Sequence, residues 1–139
     1  MTLDFTLSKF QKLAGAVAQH YPTLTLAEYF QAQKLPPRFA MMRHDIDRKL
    51  MSALNTARVE RELGIRATYY FRMNSTVFRP EIMREIEGMG HEVGYHYEVL
   101  GKAKGDCEKA IEMFGSELKE FRKVCDVRTI CIHSEMVFN

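Results

Sequence analysis

The chain has 139 residues, enough for one domain with a real hydrophobic core and short for the larger α/β architectures. Hydrophobic residues make up 46% and charged residues 27%, the balance of an ordinary globular protein, and a formal net charge of +2 gives no sign of a nucleic-acid or membrane-surface partner. Three cysteines, Cys107, Cys125 and Cys131, without CxxC spacing, argue against a disulfide framework and a zinc finger, and suit reduced thiols in the cytoplasm. No segment approaches the run of about 20 apolar residues that a membrane helix needs, and the start MTLDFTLSKFQKLAGAVAQHY lacks the pattern of an export signal.

Leu7, Phe10, Leu13, Ala14 and Val17 recur at helical spacing behind Ser8, and Leu26, Tyr29 and Phe30 form a second short helical face after Thr25. Residues 1–35 are therefore expected to be a helical N-terminal extension. Pro36 and Pro37 forbid helix, and residues 36–139 read as a separate, alternating unit that opens with the extended run FAMMRHDID. KLMSALNTARVEREL places Leu50, Ala53, Leu54, Ala57 and Leu63 on one helical face, with Gly64 as its stop. The strand RATYYFR follows, then a helix opened by Pro80, the strand HEVGYHYE, a longer helix from near Asp106, and the last strand VRTICIH. Strands alternating with helices over four rounds imply parallel crossovers, hence an α/β sheet or barrel of about four parallel strands.

Side chains alternate between the two faces of a strand, so each strand divides by parity. Met42, His44 and Ile46, then Ala67, Tyr69 and Phe71, then Val93, Tyr95 and Tyr97, then Ile130 and Ile132 fall on a face suited to packing under helices. The opposite face collects Asp45, Asp47, Arg72, His96, Glu98 and His133, all toward the C-terminal ends of their strands, where α/β folds place their active sites. His91 and His96 are five residues apart and cannot share a face, so His96 joins the carboxylates while His91 bonds to backbone or caps the strand's entry. His20 and His44 read as structural or surface residues, and Cys131 as a small core residue. A carboxylate with imidazoles suits a divalent ion such as Zn²⁺, with a second carboxylate as general base. Asp45 and Asp47 could divide those tasks, although Asp47 is also placed to cap the helix that follows.

The motifs 43-RHDID-47, 67-ATYYFR-72, 90-GHEVGYHYE-98 and 131-CIH-133 together resemble the NodB-homology polysaccharide deacetylases, also called carbohydrate esterase family 4, in their RHDVD-type branch. The resemblance covers about residues 38 to 133. It implies a distorted (β/α) barrel that removes N-acetyl groups from sugars, with a metal held by an aspartate and two histidines. By order and parity it gives Asp45 the base role and Asp47 the metal, and His96 matches the first ligand histidine. Leu100 stands where the second is expected, which leaves His133 or Glu98, neither given by the family motif, as candidates for the third donor, and Arg72 is the neighbouring cation for an oxyanion. A full barrel runs to about 250 residues, so the four strands here amount to an N-terminal half that needs a C-terminal half or a second copy to cover its edges. The implied substrate is an acetylated amino sugar or a cytoplasmic glycan precursor. A non-catalytic remnant or carbohydrate-binding module, and another metal-dependent barrel hydrolase of amides or phosphate esters, are the competing readings.

Overall fold

A computed structural model describes residues 4–134. Helix α1, Leu7–His20, is capped by Thr6, two residues before Ser8; the Thr6 side chain accepts a hydrogen bond from the Lys9 N–H at 3.2 Å. Helix α2, Leu26–Gln31, opens with a capping box in which Thr25 and Glu28 each bind the other's backbone amide. The alternation then runs β1 (Arg43–Ile46), α3 (Leu50–Glu62), β2 (Thr68–Phe71), α4 (Pro80–Gly88), β3 (Glu92–Tyr97), α5 (Val99–Lys102), α6 (Cys107–Val124) and β4 (Ile130–Ile132). Pro80 sits in the first turn of α4, and the Asp106 side chain caps α6. The four-residue α5 has no periodicity to announce it and carries Leu100, which is 44% exposed.

All four strands are parallel and lie in sequence order, β1-β2-β3-β4, so each crossover adds the next strand on the same side. On the outer face Tyr69, Phe71, Val93 and Tyr95 are buried with Leu54 of α3, Met83 and Ile86 of α4 and Phe121 of α6. Each such side chain removed from water contributes about 1.5–3 kcal/mol. Ala14 of α1 belongs to the same core, with Phe10 and Ala18 packed against it. The apolar parity set fails to be buried at β4, where Ile130 is 46% and Ile132 55% exposed. Among the described residues this strand has a neighbour on one side only, which leaves its side chains half open.

The inner face is polar, and its lower half is closed by the helical extension. Glu92 is 9% exposed and accepts hydrogen bonds from the Ala27 N–H at 3.0 Å, the Thr68 hydroxyl at 2.7 Å and the Thr129 hydroxyl. Thr68 Oγ1 in turn accepts from the Leu26 N–H at 2.9 Å. The first amides of α2, which lack partners inside their own helix, thereby satisfy a buried carboxylate that would otherwise be costly. Above this layer the Tyr70 ring lies across Gly94, its hydroxyl 2.7 Å from Thr129 Oγ1. A Cβ at position 94 would fall 2.3 Å from a Tyr70 ring carbon, so only glycine leaves room for that ring.

At the upper end the outer strands lean toward each other. Four strands in a flat sheet hold the first and last about 14 Å apart, beyond the joint reach of an aspartate and a histidine. Yet Asp47 Oδ1, just past β1, is 3.3 Å from His133 Nδ1, just past β4.

Candidate metal centre

Asp47, His96 and His133 come together at the C-terminal ends of β1, β3 and β4, one potential ligand atom from each lying within 4.8 Å of the others. His96 Nε2 is 3.0 Å from His133 Nδ1 and 3.7 Å from Asp47 Oδ1, and the last pair is 3.3 Å apart. A tetrahedral ion with nitrogen and oxygen ligands at ordinary lengths separates its donors by about 3.3 Å, so the three edges fit such an ion. Asp47 does not cap α3: that helix starts at Leu50 behind Lys49, which has a left-handed backbone, and no side chain caps it. The Asp47 carboxylate meets only the two histidines, among the described residues.

His96 is prepared for ligation by the backbone. Its Nδ1–H donates to the Cys131 carbonyl at 3.2 Å, which leaves the Nε2 lone pair aimed at the cluster. Burial holds its pKa below the ordinary 6.5, outweighing the pull of Asp45, and so favours the neutral ring that a metal requires.

Asp45 lies beside the triad, with Oδ2 3.9 Å from His96 Nε2. Both its oxygens are held by Arg43, Nε donating to Oδ1 at 2.8 Å and Nη2 to Oδ2 at 2.7 Å. Partial burial works to raise the Asp45 carboxyl, but the Arg43 bonds and the fields of His96 and His133 outweigh it and hold the pKa below the usual carboxylate range. Arg43 Nη2 also donates to Cys131 Sγ at 2.8 Å, and its guanidinium sits 5.2 Å from the centroid of Tyr70.

Arg72 and Glu98 satisfy each other. Arg72 donates from Nε and Nη2 to one Glu98 oxygen at 3.0 and 2.6 Å, while the other oxygen is 3.7 Å from Lys102 Nζ. None of these contacts involves Asp45, Asp47, His96 or His133, so Glu98 stands outside the triad. Cys131 is a correction: it is a half-buried residue of the inner face rather than a core residue, because its edge strand turns the thiol toward Arg43. His44 is indeed structural, with Nε2 2.6 Å from the fully buried Glu60, which also accepts from the Tyr69 hydroxyl. Among the described residues His91 bonds only to backbone, Nε2 donating to the Ala57 carbonyl and Nδ1 accepting from the Ala67 N–H.

Arg43 is the site residue that the motif reading passed over. Its signal was present: an arginine two residues before an aspartate on a strand shares its face, close enough for a fork. A cleft of about 350 Å³ runs beside β1, lined by Arg43, Asp45, Arg48, Lys49 and Ser52 among others. A larger one, about 750 Å³, lies between α1 and α3 and includes none of the triad. No helix among the described residues is long and apolar enough to cross a membrane. No family model matches the chain, and no curated protein or solved structure matches it either.

Proposed function

We propose that the chain forms the metal-binding part of a hydrolase resembling the NodB-homology polysaccharide deacetylases, acting on the N-acetyl group of an amino sugar or glycan precursor. One observation carries the reading: Asp47, His96 and His133 converge at metal-like spacing with a second, ionised carboxylate, Asp45, alongside. A divalent ion of the zinc type held by the triad would supply Lewis acidity and lower the pKa of a water. His133 replaces the donor that Leu100 does not offer. Asp45 keeps lone pairs free beside its two arginine bonds, because a carboxylate accepts about four, and takes the proton of the attacking water. Arg72, tethered by Glu98, is the inner-face cation assigned to the developing oxyanion. In this reading the four strands are part of a (β/α) barrel, supported by the inward lean of β1 and β4.

The test is zinc content and affinity of the purified protein and of its Asp47→Ala, His96→Ala and His133→Ala variants, followed by acetate release from an N-acetylated amino-sugar oligomer. Zinc retained at full stoichiometry in any of these variants would sink the triad. Stoichiometric zinc without acetate release would favour the second reading, a non-catalytic carbohydrate-binding module, which Leu100 at the second histidine position supports. Turnover of a phosphate ester instead would assign a different hydrolase.

A further inference from the structure

Asp45 Oδ2 and Asp47 Oδ1 are almost equally far from His96 Nε2, at 3.9 and 3.7 Å. Distance to His96 does not separate them, although only Asp47 also reaches His133, at 3.3 Å. Their surroundings differ: among the described residues Asp47 meets only histidines, whereas each oxygen of Asp45 accepts one bond from the planar fork of Arg43, which holds the carboxylate in place. The structure assigns to Arg43 the role of a positioning residue that keeps Asp45 out of the coordination sphere and so decides which aspartate binds the metal, a role that rests on the metal reading proposed above.

The fork has its own support. The guanidinium rests over the Tyr70 ring, and its Nη2 is shared with Cys131 Sγ from the far side of the sheet. Tyr70 is fixed by Thr129 at its hydroxyl and by the gap over Gly94. Arg43 thus arrives from the same strand as the carboxylate it restrains, with three contacts that fix its plane. A lysine at this position would keep the charge but lose the two-pronged grip.

The probe is Co²⁺, whose visible spectrum reports coordination number, titrated into the purified full chain. In Arg43→Met the freed Asp45 enters as an added ligand: the d–d absorption falls at least about twofold and Co²⁺ binds several-fold more tightly, as expected for one more oxygen donor. Arg43→Lys gives an intermediate spectrum, and the double variant Arg43→Met/Asp45→Asn returns the wild-type spectrum, as does Asp45→Asn alone. The double variant separates release of Asp45 from general loosening, since loosening alone would leave its spectrum altered. Wild-type Co²⁺ binding with an unchanged spectrum in Arg43→Met overturns the role of Arg43 while leaving the triad intact. Failure of the wild-type chain to bind Co²⁺ overturns the metal reading itself, and this role with it.

Discussion

The two ends of β3 each bury a histidine, and the two rings begin alike. His91 donates from one nitrogen to the Ala57 carbonyl and His96 donates from one to the Cys131 carbonyl. They part at the second nitrogen. That of His91 is filled by the Ala67 N–H at 3.2 Å, whereas that of His96 faces His133, Asp47 and Asp45. Burial depresses both pKa values and keeps both rings neutral, so neutrality does not distinguish them. A buried imidazole closed on both sides by backbone is a tie between strands and helices. One with its lone pair aimed at other donors is a candidate ligand.

Zinc affinity gives the largest expected contrast. His96→Ala should lower it at least about 100-fold, more than the usual loss from an outer-sphere partner, while His91→Ala should stay within about threefold of wild type. Competition with a chelator of known affinity measures both, and similar losses in the two variants would erase the distinction. Folding stability in metal-free protein should reverse the order. His91→Ala leaves the buried Ala67 amide without its partner, at about 1–3 kcal/mol, whereas His96→Ala removes bonds to the Cys131 carbonyl and to the half-buried His133, both of which keep other partners. Urea titrations of both variants check this.

The pH dependence sharpens the comparison further. His91 has a folded-state pKa below its ordinary 6.5, so the unfolded chain takes up its proton first as pH falls. Its contribution is fully present above pH 6.5 and is lost as pH drops toward the folded value, with a slope of at most about 1.4 kcal/mol per pH unit. His91→Gln should flatten the fall in urea midpoint between pH 7 and pH 5, and an unchanged slope would count against a neutral buried ring. The smallest effect belongs to the pair outside the triad. Glu98→Gln should cost about 1 kcal/mol or less and leave zinc affinity unaltered; a large drop in affinity would return Glu98 to the ligand set.

The strands, their order of appearance and the separation of His91 from His96 were legible because period-two alternation is a local property of the sequence. The same parity set Asp45, Asp47, His96 and His133 on one face. What escaped it is long-range. Nothing within a few residues of Glu92 indicates that it will accept from the Ala27 amide at the start of α2, 65 positions away. Alternation assigned Ile130 and Ile132 to the packed face without knowing that β4 has a single neighbour among the described residues. Cys131 was misread for the same reason, since small size suggests a core only where both sides of a strand are covered. Helix α5 was missed because four residues are too few to show a period.

Gly94 carries no side chain of its own, yet it sets the clearance for the Tyr70 ring above it. In most strand interiors, exchanging glycine for alanine is a gain, because it reduces the freedom of the unfolded chain. Here the added methyl would displace the Tyr70 ring, on which Arg43 rests, and the shift would pass through the guanidinium to the Asp45 carboxylate. A single hydrogen atom where other residues carry carbon acts as the shim of this site, and its thickness is felt two side chains away.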